Sequence, residues 1–417
     1  MTAATSETAK NSTHERSLWV LAGITFLIFF QAYMVAPMIP RLSTVFDVPA
    51  QQIGLVIPAY LIPYGVSTLF FGLLSDWIGR RRIMLVSLVA FAVLTALTAT
   101  AQSAREIILW RLLTGLGASG VVPLALALIG DIFPYEERGR PLGWLFGAMA
   151  GGMAFGSTFG VLLVSAIGWR GVFLAVSVLG FVALTLLKPH FSLLGERPRT
   201  RTIRFQGVVA RYKNLLILPR GRRTYVYVFL NAIFHSGVFT WLGLYFSRRY
   251  GLGEVGIGLA LLGYGVPGFL LGPVIGRAAD RWGRRWLLPA GIGVAALSAA
   301  LLVPRLSLAF AAIVVTLLSL GYDMTQPLLA GIITSLDPNR GGQAMGLNVF
   351  ALFTGFGLGS LLFGWALQLG FDSALVIFAA VQMAAAIVAI ALFRSEHLPG
   401  VDLPTRARMD LEEQTGG

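Results

Sequence analysis

The sequence predicts an all-α integral membrane protein whose twelve helical spans fall into two related six-span halves. Three observations carry that prediction. Of 417 residues 56% are hydrophobic and 12% charged, with a mean hydropathy of +0.77; average soluble domains carry about 25% charged residues, so too little polar surface is left to coat a soluble enzyme. The apolar runs repeatedly reach the roughly 20 residues a helix needs to cross a bilayer, not the ~10-residue alternation of barrel strands. Finally, one polar hairpin motif occurs twice, at equivalent places in the two halves.

Taken in order, residues 1–17 form a polar tail with Lys10 and Arg16. The run that follows is longer than a signal-peptide core and has no convincing cleavage site, so it reads as a retained first span. Spans are expected at 18–40, 52–75, 83–101, 106–130, 142–166 and 170–187, forming an N-terminal bundle over 18–187. A basic linker covers 188–224. Spans at 225–247, 254–276, 286–303, 306–333, 343–369 and 372–393 form a C-terminal bundle over 225–393, and 394–417 is a second tail. The runs 306–333 and 343–369 are long enough to tilt.

The net charge of +13 reads as orientation. Lys and Arg accumulate in cytoplasmic loops, and 25 of the 32 fall on the side of the N-terminus, ten of them between Lys188 and Arg223. Six, Arg41, Arg105, Arg170, Arg248, Arg249 and Arg305, fall on the other side, and Arg111 lies inside a span. Both termini and the linker are therefore expected to be cytoplasmic, and no nucleic-acid partner is needed to explain the surplus. The linker, with Arg197, Arg199, Arg201 and Arg204, is expected to meet anionic headgroups; a regulatory role with an amphipathic helix at Phe205–Leu218 is the other reading. Cysteine is absent, which removes disulfides and thiolate chemistry.

The repeated motif runs Gly72-Leu73-Leu74-Ser75-Asp76-Trp77-Ile78-Gly79-Arg80-Arg81 and Gly276-Arg277-Ala278-Ala279-Asp280-Arg281-Trp282-Gly283-Arg284-Arg285. Gly, Asp, Gly, Arg and Arg recur at one offset, 283 − 79 = 204. The first glycine permits close helix approach and the second a positive φ in the turn. Each Asp is placed to meet a helix N-terminus or an Arg, a latch on one arrangement of the halves; the simpler alternative is that the arginines only enforce topology.

These residues resemble the loop 2–3 signature of the major facilitator superfamily, Gly-x-Leu-x-Asp-x-x-Gly-Arg-Arg. Leu109-Trp110-Arg111-Leu112-Leu113-Thr114-Gly115 is similar to the family's span-four signature, and Asp131, Glu136-Glu137 and Arg138-Gly139 resemble its charged loop 4–5. The resemblance implies two six-helix bundles around a central cavity that opens alternately to each side, with Arg138 pairing with Asp76. By pattern the chain is nearest to the twelve-span drug and sugar efflux members, with two departures. Ser157 stands where the span-five signature Gly-x-x-x-Gly-Pro-x-x-Gly has Pro, and Gln31 stands where span one of many such antiporters carries an acid.

Ionisable groups in hydrocarbon cost about 2.5–3.5 kcal/mol on insertion scales, so those kept at depth are the first functional candidates: Arg111, His235 and Asp323. Arg111 cannot release its proton and either snorkels outward or faces the cavity, where it would bind an anionic group or bias a titrating neighbour. Asp323, in Gly321-Tyr322-Asp323-Met324-Thr325-Gln326-Pro327, is the leading proton-coupling candidate; the bland alternative is a hydrogen bond to a neighbouring helix terminus. His235 shares a helix face with Asn231 and is either a second coupling group or a satisfied interhelical partner. Gln31, Tyr33, Tyr60, Tyr64, Trp241, Tyr264, Tyr322, Gln326 and Asn348 join Arg111 and Asn231 as cavity candidates; the alternative for each aromatic is simple packing. Gly143, Gly147, Gly151, Gly152, Gly156 and Gly160 in span five, and Gly355, Gly359 and Gly364 in span eleven, make small-xxx-small spacings for close helix packing.

Metal-ligand sets, a phosphate-binding GxxxxGK[ST] loop and a nucleophile elbow do not occur, so no enzyme, metal or cofactor is expected. The sequence points to a monomeric secondary carrier in a bacterial inner membrane, working by alternating access and exporting small organic or amphiphilic solutes with proton coupling. Uptake or facilitated diffusion of a metabolite is the alternative within that class; a transporter-fold sensor or lipid-handling protein is the alternative outside it.

Overall fold

A computed structural model describes residues 2–132, 139–190, 212–268, 283–336 and 341–396, with 270, 271, 274, 275 and 278 between them. The first span is α1 (Thr2–Tyr33) and α2 (Ile39–Phe46), separated by a 3-10 turn at Ala36–Met38. Pro37 and Pro40 lack the amide protons that a continuous helix would need there. Span two is α3 (Ala50–Ile53) and α4 (Val56–Ile78), span three α5 (Arg80–Ala99), and span four α6 (Ala104–Ala118) with α7 (Val121–Ile132). Spans five and six run together as α8 (Gly139–Leu187), bent at Gly168, whose φ of 70° and ψ of 163° are not helical. In the second half α9 (Pro219–Tyr250) is span seven and α10 (Glu254–Ala260) begins span eight. They are followed by α11 (Arg284–Leu301), α12 (Leu308–Leu336), α13 (Gly341–Ala366) and α14 (Phe371–Leu392).

Among the described residues, 9 helical segments are long and apolar enough to cross a membrane. One of them, Gly143–Leu187, holds two spans; with α11 and the broken eighth span the total is twelve. Two boundaries differ from the sequence-based expectation. Helix α1 continues into the polar tail as far as Thr2, and α9 starts at Pro219, so Arg220, Arg222 and Arg223 belong to a helix and not to the linker. Proline at the first helical position is preorganised for that start. Of the amphipathic segment expected at Phe205–Leu218, 212–217 are helical and 205–211 lie outside the described residues.

The two halves repeat in their turns. Gly79 and Gly283, the second glycines of the repeated motif, have φ of 99° and 79°. Asp47 and Gly251, also 204 positions apart, end spans one and seven in the left-handed region at φ 50° and 68°. Gly168 and Gly370 bend the chain between spans five and six and between eleven and twelve, at φ 70° and 98°. Helix contacts repeat as well. Gly152, Gly156 and Gly160 of span five lie against Phe26, Phe30 and Met34 of span one, and Gly355, Gly359 and Gly364 of span eleven lie against Phe229, Ile233 and Trp241 of span seven. Gly143 and Gly147 differ from expectation: a side chain there would meet nothing within 4 Å, so they pack no helix closely.

On the face opposite the chain termini the halves are joined. Trp241 of span seven fills the space beside Gly54, Gly243 rests on Pro37, and Arg41 pairs with Glu254 at 3.6 Å. Thr158 of span five donates its hydroxyl to Leu261 O of span eight at 3.1 Å. Deeper in, Gly65 lies against Phe353 and Thr354, and Gly357 against Ile62.

Candidate functional site

Span eight is broken where the halves meet. After α10, residues 261–265 form turns and the helix resumes at Val266. Gly265 has φ 80° and lies so close to Ala154 of span five that no side chain fits. Neighbouring helices must satisfy the backbone groups that the break frees. The Gly265 amide donates to Ser319 Oγ at 2.8 Å, and Ser319 donates in turn to Asp323 Oδ2 at 3.0 Å. The Gly268 amide also hydrogen-bonds Asp323; a methyl group at Gly268 would come within 2.6 Å of the carboxylate. Asp323 is thus the acceptor at the start of the resumed helix.

The neighbouring residue, Tyr264, connects the same break to His235. Its hydroxyl lies 2.6 Å from His235 Nε2. The His235 ring stacks on Tyr322 with centroids 3.7 Å apart, and the Tyr264 ring stacks on Phe239 at 4.4 Å. The two titratable candidates therefore hold adjacent residues of one hinge. Asn231, one turn before His235, is engaged elsewhere: it donates to Thr325 at 2.7 Å and accepts from Gln382 at 3.0 Å, tying spans seven, ten and twelve. Trp241 donates its indole N–H to Ser360 O.

From this cluster an aromatic path crosses to the other half. Phe356 is 5.7 Å from His235 and 6.2 Å from Tyr33, and Phe353 stacks on Tyr64 at 4.3 Å, which stacks on Tyr60 at 5.9 Å. Several buried polar atoms have no hydrogen-bond partner among the described residues: the hydroxyls of Tyr33, Tyr60 and Tyr64 on this path, both side-chain polar atoms of Gln31 in span one, and Gln326 Oε1 and Asn348 Oδ1 in spans ten and eleven. Native interiors leave few such groups, so the unpartnered atoms on spans one, two, ten and eleven are suited to a hydrogen-bonding solute.

Arg111 ends the path and does not snorkel. It is fully buried, with its guanidinium 4.2 Å from the Tyr60 ring centre. It donates to Val56 O at 3.2 Å, Gln31 O at 3.4 Å and Ala32 O at 3.5 Å. The last two carbonyls are those freed where α1 stops at Tyr33. A cation there complements the negative end of the helix, so Arg111 closes the break in span one much as Asp323 closes the break in span eight.

The latch is seen in part. Gly79, Arg80, Gly283 and Arg284 are described, and the Arg284 guanidinium reaches Gly331 of span ten. Gly72 lies within α4, while the Asp76 side chain, Arg138, Gly276 and Asp280 fall outside the described residues. Sequence reasoning missed a cluster beside it. Glu396, 5% exposed, accepts two bonds of 2.8 Å from Arg220, contacts Arg223, and accepts the Arg285 amide through its own backbone carbonyl. Burial alone would raise the Glu396 carboxyl, but hydrogen bonds and charge from Arg220 and Arg223 prevail and hold it below the usual carboxylate range. Ser319, Gly265 and Gly268 were also missed. The spacing of Ser319 and Asp323, one turn apart, and the run Gly263-Tyr264-Gly265-Val266-Pro267-Gly268 were the available signals.

Comparison with known proteins agrees with the helix arrangement. The family model of the Major Facilitator Superfamily matches residues 21–266 and 228–412. The chain is 28% identical over 354 residues to the uncharacterized MFS-type transporter YceJ of Bacillus subtilis, covering 84% of this chain and 89% of the relative. It is 27% identical over 274 residues to the chloramphenicol resistance protein of Pseudomonas aeruginosa, covering 64% and 63%. Among solved structures, a D-xylose-proton symporter superposes with a TM-score of 0.73 at 17% identity, over 90% of this chain and 96% of that one. Two six-helix halves, the repeated hairpin and a family match along nearly the whole length lead to one assignment: the chain belongs to the Major Facilitator Superfamily and is a multi-pass membrane transporter of small-molecule solutes, not an enzyme.

Proposed function

We propose that this transporter exports small organic or amphiphilic solutes from a bacterial cytoplasm in exchange for protons, with both termini cytoplasmic, and that Asp323 is the coupling group. The observation that supports this is the attachment of Asp323 to the hinge of span eight through Ser319 and Gly268. An ionised carboxylate only accepts hydrogen bonds; a protonated one must also place a donor. Loading a proton therefore weakens the hold on the resumed helix and frees Gly265 to turn. Because Gly265 and Leu261 contact Ala154 and Thr158 of the opposite half, that motion passes directly to the joint between the halves. His235 holds the adjacent Tyr264 and adds a second tie.

The solute surface follows from the same geometry. Aromatic walls with uncharged donors and acceptors at Gln31, Tyr33, Tyr60, Tyr64, Gln326 and Asn348 suit a neutral or amphiphilic molecule better than a highly charged one. A drug-resistance relative supports export.

Proteoliposomes provide the test. With an acidic lumen, so that protons run outward, and chloramphenicol or a comparable amphiphile added outside as solute, the wild type should accumulate it in the lumen against its concentration. Asp323→Asn should abolish gradient-driven accumulation and leave counterflow exchange partly intact. Unchanged pH dependence in that variant removes Asp323 from coupling. Flux without any effect of the gradient favours facilitated diffusion, and no flux of any solute favours a sensor.

A further inference from the structure

Cations on the face opposite the termini run against the charge asymmetry that sets membrane orientation, so each calls for an explanation. Arg41 is paired with Glu254 at 3.6 Å. Arg170 donates to Ala99 O and Ala101 O, the carbonyls at the end of span three. Arg249 donates to Asp372 at 2.6 Å and lies over the Tyr245 ring. Arg248, Arg305 and the exposed Arg105 have no hydrogen-bond or ion-pair partner among the described residues, and of these Arg248 and Arg305 converge with Arg249 on one cleft.

That cleft has a volume of about 460 Å³ and is lined by Tyr245, Arg248, Arg249, Arg305, Phe371 and Asp372. Asp372 offsets Arg249, which leaves two uncompensated guanidinium groups. Tyr245 and Phe371, with ring centroids 5.4 Å apart, form an aromatic wall. Trp365 and Leu369, which precede Phe371 by six and two residues in sequence, are 70% and 67% exposed, as befits side chains turned to lipid near the headgroup level.

We propose that this cleft is a binding site for the phosphate of an anionic phospholipid in the leaflet opposite the termini. Arginine forks match phosphate oxygens in pairs. Tyr245 and Phe371 provide an apolar wall for the glycerol and first acyl carbons. A binding role gives Arg248 and Arg305 a reason to stand on the side where topology disfavours them. The site joins the ends of spans seven, nine and twelve within the C-terminal half, so an occupying lipid would brace that half as a body.

Native mass spectrometry of the full chain in detergent tests this with phosphatidylglycerol, phosphatidylcholine and inorganic phosphate as probes. The wild type should retain phosphatidylglycerol and not phosphatidylcholine. The double variant Arg248→Gln/Arg305→Gln should retain one phosphatidylglycerol fewer, with affinity at this site reduced about tenfold or more. Arg197→Gln/Arg199→Gln, in the linker, should leave this lipid in place. An unchanged number of bound lipids in the first double variant overturns the site. Displacement of the lipid by an equal concentration of inorganic phosphate overturns the lipid assignment in favour of a small-anion site.

Discussion

At the scale of single residues, the buried charges close breaks in the backbone. Arg111 was legible as a functional candidate because an Arg inside a span is rare, but its three carbonyl partners come from spans one and two, and no local pattern announces them. Arg111→Gln should therefore reduce the amount of folded protein recovered and also its transport; normal yield with normal flux would show that the freed carbonyls of Gln31 and Ala32 are satisfied without it. Glu396 was illegible for a related reason: it lies in a polar tail and becomes buried only because Arg220, Arg223 and the Arg285 amide surround it. Its carboxyl is held below its ordinary value of 4.5. The stability it contributes is therefore complete above about pH 4.5 and is lost as pH falls through the lowered folded value. Glu396→Gln should lower the thermal midpoint at pH 7 by roughly 2–4 °C, and that difference should shrink at low pH. A constant difference across pH would show that the carboxylate charge plays no part.

At the scale of elements, apolar length revealed the spans well, and glycine and proline revealed some of their interruptions. Pro37 and Pro40 mark the 3-10 turn of span one, and Gly79 and Gly283 have the positive φ that their place in the motif required. The bends at Gly168 and Gly370 and the break at Gly265 carry no comparable motif; Ala154 packs against Gly265, whereas a side chain at Gly168 or Gly370 would meet nothing within 4 Å and only the positive φ calls for glycine there. The hinge of span eight yields two linked expectations. Gly265→Ala forces a methyl into Ala154 and strains a φ of 80°, so it should slow turnover at least tenfold while solute binding, measured by thermal shift, persists. Ser319→Ala removes the bridge between Gly265 and Asp323; it should change the pH profile of transport, and Ser319→Thr should restore it. If Ser319→Ala alters only the rate and leaves the pH profile as it was, Ser319 serves packing alone.

At the scale of the whole molecule, the closed face is held by Trp241 beside Gly54, Gly243 on Pro37 and the Arg41–Glu254 pair. The natural absence of cysteine makes that joint directly testable. With Arg41→Cys and Glu254→Cys together, a bis-methanethiosulfonate linker long enough to span the gap left by the two shortened side chains should arrest transport and a reductant should restore it; transport that persists through complete cross-linking would mean that this joint need not open. A further consequence lies in the turns. The paired backbone conformations at Asp47 and Gly251, and at Gly79 and Gly283, are set by residues within each half and owe nothing to the chain that connects them. Biogenesis should then tolerate a nick. Two separately translated polypeptides, divided between 191 and 211, should insert independently and reassociate in the bilayer into a single working carrier.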